Sequence, residues 1–172
     1  MKNAKRIFLV GMPGSGKSTE GKKLAKQLGY SFIDLDKKIE EEFGLDIAGI
    51  FKIHGEVFFR EYESKILKSL NLFDRVVIAC GGGTISFNCN MDWINKNGIS
   101  IYFSAEPKLL LSRILAGKVQ RPLFLGLNEE EILIKIKELL AHRSRYYEQS
   151  KLIIELPIKS PNMLLDKILN IF

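Results

Sequence analysis

The run Gly11-Met12-Pro13-Gly14-Ser15-Gly16-Lys17-Ser18 has the residue types and spacing that hold a phosphate chain, G-x-x-x-x-G-K-[ST]. Glycines let the backbone take positive φ and come close to a ligand. Successive N–H groups then turn inward as an anion nest, and a helix starting behind them adds the positive end of its dipole. Lys17 brings a mobile ammonium to the β- and γ-phosphates, and the Ser18 hydroxyl is a ligand for Mg2+. The alternative is a glycine-rich turn that merely joins two elements. The flanks argue against it. Arg6–Val10 is a β-prone apolar run, and Thr19–Leu28 is an amphipathic helical pattern with Leu24, Ala25 and Leu28 on one face.

Four further groups could do chemistry. Asp34 and Asp36 close the second β-prone run, where extended spacing sends both carboxylates to one side. One suits a metal-linked and the other a substrate-linked role; the alternative for Asp36 is a helix N-cap. Arg60 and Glu63 are three apart on a predicted helix and share a face, which a surface ion pair would also explain. Gly81-Gly82-Gly83 directly follows a strand and permits close backbone approach to a ligand. Arg121-Pro122-Leu123 lies in the irregular segment from Gly117 to Leu127, which has a glycine near each end, a central cation and the character of a lid.

These groups need a scaffold. Strands are predicted at Arg6–Val10, Ser31–Leu35, Arg75–Cys80, Gly98–Phe103 and Lys151–Leu156, with helical patterns between them. That alternation predicts an α/β fold, a mainly five-stranded parallel sheet covered on both faces. Ligands in such folds gather at the carboxyl ends of the strands, which points to the residues after Leu35 and Cys80. Asn128 with Glu131 forms a capping-box pattern, followed by apolar Ile132, Leu133, Ile136, Leu139 and Leu140. Ser160-Pro161 predicts the start of the last helix, whose buried face is Met163, Leu164, Leu165, Ile168 and Leu169. Ile39, Phe43, Ile47, Ile50 and Phe51 suggest two short helices parted at Gly44, and Gly55 precedes a longer helix from Glu56 to about Leu70. So much helix between two strands exceeds one crossover and reads as an insertion walling a second pocket.

Length and composition narrow the class. At 172 residues the chain is read as one domain spanning 1–172, with the helical insertion at about 35–70 and the lid at about 116–127. Apolar residues at 46% and charged residues at 27% are ordinary for a globular protein, and no apolar run is long enough to span a bilayer. The basic N-terminus is followed by an apolar run too short for a signal peptide, so a cytoplasmic location is expected. The net charge of +6 comes from scattered lysines, which favours small anionic ligands over nucleic acid. Cys80 and Cys89 match no zinc spacing and are read as reduced thiols.

Taken in order, D-x-D at Asp34/Asp36, G-E-x-x-F-R-x-x-E at Gly55–Glu63, G-G-G at Gly81–Gly83, R-P-L at Arg121–Leu123 and R-x-x-x-Y at Arg143–Tyr147 resemble the shikimate kinases, P-loop kinases of the nucleoside-monophosphate-kinase-like group. The resemblance runs from Ile7 to about Pro161. It implies a three-layer α/β/α P-loop kinase fold and ATP-dependent phosphorylation of the 3-hydroxyl of shikimate, a step of aromatic amino-acid biosynthesis. It also implies Mg2+ as cofactor, ATP as co-substrate and a monomer. The ATP site would comprise Gly11, Gly14, Ser15, Gly16, Lys17, Ser18, Thr19, Arg113, Arg121 and Pro161. Ser18 would hold Mg2+ directly and Asp34 through water. Lys17 and Arg121 would neutralise the transferring phosphoryl group, and Asp36 would accept the proton of the attacking hydroxyl. Arg60 and Arg143 would clamp the substrate carboxylate, Glu63 would orient Arg60, and Gly81, Gly82 and Gly83 would meet the ring hydroxyls. Arg113 stands one residue further from Arg121 than the family pattern, and Phe124 replaces a frequent leucine. Arg145 is a rival to Arg143, which is preferred for its spacing to Tyr147.

Two other functions compete. A gluconate or nucleotide kinase would share the phosphate loop and lid but not the paired arginines together with Gly81–Gly83. A GTP-binding switch would use Asp46-Ile47-Ala48-Gly49 as D-x-x-G. That stretch follows a helical segment instead of a strand, and Asn95-Lys96-Asn97 is followed by Gly98 where N-K-x-D needs aspartate.

Overall fold

In the computed structural model, residues 6–117, 122–160 and 162–170 are described. Five strands, β1 (Arg6–Val10), β2 (Ser31–Asp34), β3 (Val76–Ala79), β4 (Ile99–Ser104) and β5 (Leu152–Glu155), form one sheet in the order β2-β3-β1-β4-β5. Every pairing is parallel, and Leu9 at the centre faces Ala79 on one side and Ile101 on the other. The helices are α1 (Lys17–Leu28), α2 (Leu35–Phe43), α3 (Ile47–Ser69), α4 (Asn90–Asn97), α5 (Pro107–Ala116), α6 (Glu129–Tyr147) and α7 (Met163–Leu169).

The alternation of the central strand sorts the helices into two layers. Phe8 and Val10 face one core with Leu35, Ile50, Leu67, Leu110, Ile136 and Tyr147, from α2, α3, α5 and α6. Ile7 and Leu9 face the other with Leu24, Ala25, Leu164 and Ile168, from α1 and α7. Side chains alternating across a pleat cover both faces, as an all-parallel sheet requires. The result is the expected three-layer α/β/α arrangement.

Local signals set most boundaries. Asn128 and Glu131 make both bonds of a capping box at the start of α6. Gly44 takes a left-handed conformation and ends α2, and α3 breaks at Gly55, where φ is 80° and ψ 171°. The insertion is therefore α2 plus a kinked α3. Two expectations need correcting. The last helix begins at Met163, not next to Ser160; Asn162 precedes it without a side-chain cap, and Leu169 is half exposed at the frayed end. The second strand stops at Asp34, because Asp34 caps α2 and leaves Leu35 helical. Of the lid segment, Gly117 caps α5, a single 3-10 turn covers Pro122–Phe124, and Phe124 is buried in the core. No helix among the described residues is long and apolar enough to cross a membrane.

Candidate active site

The phosphate loop links the end of β1 to α1. Gly14 and Gly16 sit at φ 85° and 89°, and Gly16 is the left-handed residue from which the helix starts. An L side chain resists that conformation, and this is the reason for glycine at both positions. Helix α1 begins at Lys17, two residues earlier than the sequence pattern predicts, so Lys17 and Ser18 stand in its first turn. Lys17 Nζ donates to the carbonyls of Gly11 (2.8 Å) and Met12 (3.0 Å), which folds its ammonium back over the loop. Arg113 on α5 donates to the Ser15 carbonyl at 3.1 Å. A cleft of about 410 Å³ opens beside the loop, lined by Gly14 to Gly16, Thr19, Arg113 and Leu156 to Ile158.

Asp34 links the loop to the insertion. Its Oδ2 accepts from the Ser18 hydroxyl at 2.6 Å, and its Oδ1 caps α2 by accepting from the Lys37 amide. A hydroxyl and a carboxylate side by side are hard oxygen donors, which suits Mg2+ bound by one or two protein oxygens together with water and phosphate. No group of three or more His, Cys, Asp or Glu that could hold a metal occurs among the described residues. Because Asp34 is the cap, Asp36 is released from that duty and lies in the first turn of α2. The two carboxylates are brought close by a strand-to-helix turn, not by the extended spacing expected from the sequence.

Beyond β3 the three glycines form a floor approached by side chains of three helices and of the phosphate loop. A methyl group on Gly81 would meet Asp36 Oδ1 at 2.7 Å and Glu63 Oε1 at 3.0 Å. One on Gly82 would meet Pro13 of the phosphate loop at 2.7 Å and Arg143 Nη1 at 3.4 Å. One on Gly83 would meet Arg60 Nη2 at 2.7 Å. None of the three is at positive φ, so they are glycine because other side chains occupy the space of a Cβ. Consecutive positions thus face Asp36, Arg143 and Arg60, from α2, α6 and α3.

The two arginines are held differently. Arg60 is 9% exposed; its Nη1 donates to Glu63 Oε2 at 2.8 Å, and its guanidinium lies 4.7 Å from the Phe87 ring centre and 5.1 Å from that of Phe59. Its Nε and Nη2 each approach the exposed Glu56 at 3.4 Å. Arg143 is 8% exposed, and its Nη1 is buried with no hydrogen-bond partner among the described residues. Tyr147, one turn further along α6, donates to the Gly82 carbonyl and stacks on Tyr102 at 4.8 Å. Burial pushes its phenol well above the usual range, so it acts as a donor. Arg145, the rival, is exposed and lies over Tyr146.

Asp36 is the group whose acidity is reshaped. Burial, then the Glu63 and Asp34 carboxylates, raise its pKa from 3.8 to about 6, against a lowering by Lys17. Desolvation and like charge both disfavour the ionised form. Burial likewise pushes the Cys80 thiol up, which makes it inert, while Cys89 is exposed.

Comparison with known proteins decides the family. The shikimate kinase family model matches residues 13–172. The chain is 41% identical over 148 residues to a shikimate kinase of Bacteroides fragilis, covering 86% of this chain and 83% of the relative. The crystal structure of the Bacteroides thetaiotaomicron shikimate kinase superposes with a TM-score of 0.90 at 34% identity, covering 98% of this chain and 96% of that one. That of the Acinetobacter baumannii shikimate kinase, in complex with shikimate, gives 0.87 at 35% identity, covering 99% and 93%. The chain belongs to the shikimate kinase family.

A member of the shikimate kinase family is a kinase with ATP as co-substrate. Of the residues expected from the sequence, Lys17, Ser18 and Asp34 come together at the loop. Asp36, Arg60, Glu63, Gly81 to Gly83 and Arg143 come together around the glycine floor. Arg113 lines the cleft beside the loop. Arg121 and Pro161 lie outside the described residues. Sequence reasoning missed Pro13, which touches the glycine floor, and Thr84, whose hydroxyl donates to Glu63 Oε1 at 2.6 Å. Thr84 directly follows the glycines, which was the one signal in the sequence. The D-x-x-G stretch proves to be a helix cap: Asp46 accepts from the Gly49 amide at 2.7 Å.

Proposed function

We infer that the chain transfers the γ-phosphoryl group of ATP to the 3-hydroxyl of shikimate, giving shikimate 3-phosphate and ADP. One observation carries the reading. Two buried guanidinium groups and a carboxylate of raised pKa converge on one glycine floor, next to the phosphate loop. Shikimate carries a carboxylate on one side of its ring and hydroxyls on the other. The buried Nη1 of Arg143, without a partner among the described residues, and the fork of Arg60 suit the planar carboxylate. The backbone of Gly81 to Gly83 suits the ring.

The chain's own groups then account for the transfer. Asp36, about 6 in pKa and ionised near neutral pH, takes the proton as the hydroxyl oxygen attacks the γ-phosphorus. The bond from that phosphorus to the bridging oxygen breaks, and ADP leaves with the electron pair. Lys17 moves from the loop carbonyls to the phosphates, and Arg121 meets charge that develops on the phosphoryl group. Ser18 and Asp34 would hold Mg2+, which when bound screens the phosphate charge. Arg113 and Leu156 to Ile158 would receive the base, with Pro161 three residues further along the chain. A monomer and a cytoplasmic location remain part of this proposal.

The test is coupled ADP release with Mg2+, ATP and a panel of acceptors. Turnover with shikimate and none with gluconate or a nucleoside monophosphate is expected. The opposite pattern overturns the assignment.

A further inference from the structure

Behind Arg60 lies a chain of buried polar groups that the phosphoryl transfer does not use. The Ser64 hydroxyl donates to Asn90 Oδ1 at 2.7 Å, and Asn90 Nδ2 donates to the Thr84 carbonyl at 2.8 Å. The Thr84 hydroxyl donates to Glu63 Oε1 at 2.6 Å, and the other oxygen of Glu63 takes Arg60 Nη1 at 2.8 Å. Thr84 and Asn90 are fully buried, and Glu63 is 1% exposed. The chain joins α3, the turn after the glycines and the start of α4.

We propose that Thr84, supported by Asn90 and Ser64, is a positioning residue that keeps the Arg60–Glu63 pair one-pronged and so presents the rest of the Arg60 fork to the substrate carboxylate; this rests on the substrate reading above. A carboxylate and a guanidinium left to themselves favour a two-pronged pair with two parallel N–H···O bonds. Here Thr84 donates to Oε1, turning that oxygen toward the hydroxyl, and Arg60 meets Glu63 at Oε2 through Nη1 alone. Nη2 stays against Gly83, and the Nε–Nη2 edge meets only the long 3.4 Å approach of exposed Glu56. That edge is where a second carboxylate can dock. Without the Thr84 hydroxyl, Glu63 Oε1 would be a buried acceptor lacking a donor, which is costly enough to pull it onto the Arg60 fork. The hydroxyl therefore governs recognition of the substrate carboxylate through Glu63.

The experiment compares the full-length wild type with Thr84→Val, which keeps the shape and removes the hydroxyl, and Thr84→Ser, which keeps the hydroxyl. Calorimetry would measure binding of shikimate, of its analogue with CH2OH in place of the carboxylate, and of ATP with Mg2+. Thr84→Val should weaken shikimate about 10- to 100-fold, the range for a hydrogen bond to a charged group. Its affinity for the alcohol analogue and for ATP should stay within about twofold of wild type, and Thr84→Ser should restore shikimate binding. Equal losses for shikimate and the alcohol, or an unchanged shikimate affinity, would overturn the proposal. Should Thr84→Val fail to fold, Thr84→Ala against Thr84→Ser gives the same contrast. A wild type that binds neither shikimate nor its analogue would instead overturn the substrate reading, with the proposal falling alongside it.

Discussion

Asp36 should make the folded protein less stable than it could be, and Asp36→Asn should reveal it. Its pKa is about 6 in the fold against 3.8 as the ordinary value, so the fold disfavours the ionised form. At about 1.36 kcal/mol per pKa unit, the ionised carboxylate costs about 3 kcal/mol at pH 8. The sign follows from the direction of the shift. Well below the ordinary value of 3.8 the group is protonated in both states and the penalty vanishes; it grows as pH rises through 3.8 and is complete once the folded group has ionised above about 6. Asparagine removes the charge, so the gain should be about 3 kcal/mol at pH 8, roughly half that at pH 5, and under about 1 kcal/mol near pH 4. For a chain of this length, about 3 kcal/mol is a rise of roughly 6–12 °C in Tm. Urea unfolding of both proteins without ligands at pH 8 and pH 5 measures it, while turnover should be lost. A gain of equal size at both pH values would assign it to packing, and no gain at pH 8 would refute burial and like charge as the origin of the raised pKa.

Three further outcomes are expected. Arg143→Met should weaken shikimate binding by about 2–5 kcal/mol without lowering Tm, because the guanidinium it removes has a buried Nη1 with no partner among the described residues; Arg60→Ala should lose similar affinity and stability too, because it strands buried Glu63 without its cation. Calorimetry and thermal melts on the two variants separate these cases, and a matched pair of Tm values would count against them. Gly83→Ala should raise the KM for shikimate about tenfold or more and lower Tm as well, since its methyl would lie 2.7 Å from Arg60 Nη2 and 3.0 Å from the Nη1 that holds buried Glu63; an unchanged KM would count against the floor. Arg121→Ala should lower kcat by on the order of 10³ with little change in ATP affinity, and Arg121→Lys should rescue only in part; turnover near wild type would leave Lys17 and Mg2+ as the only cations acting on the phosphoryl group.

The phosphate loop, the alternation of strands and helices and the break at Gly55 were legible in the sequence because each rests on signals within a few residues. Glycine at positive φ, the reciprocal capping of Asn128 and Glu131, and apolar periodicity are local effects, and a string of residue types carries them. The pairing of Arg60 with Glu63 was legible for the same reason, being one turn of helix. The family was legible too, since its motifs keep their order along the chain. Other properties were decided only by the tertiary structure. Asp34 and not Asp36 caps α2, which a difference of two positions in sequence does not reveal. The glycines after β3 look like a place for ligand approach, yet at each a side chain from a helix or from the phosphate loop already stands where a Cβ would be. Arg143 is buried and Arg145 exposed because only one of them turns inward from α6. The pKa of Asp36 comes from burial and from Glu63, a residue on another helix, and Thr84 reaches Glu63 from a third segment. Desolvation and Coulomb forces depend on distances through space, and those distances exist only after the sheet has brought the ends of β1, β2 and β3 together.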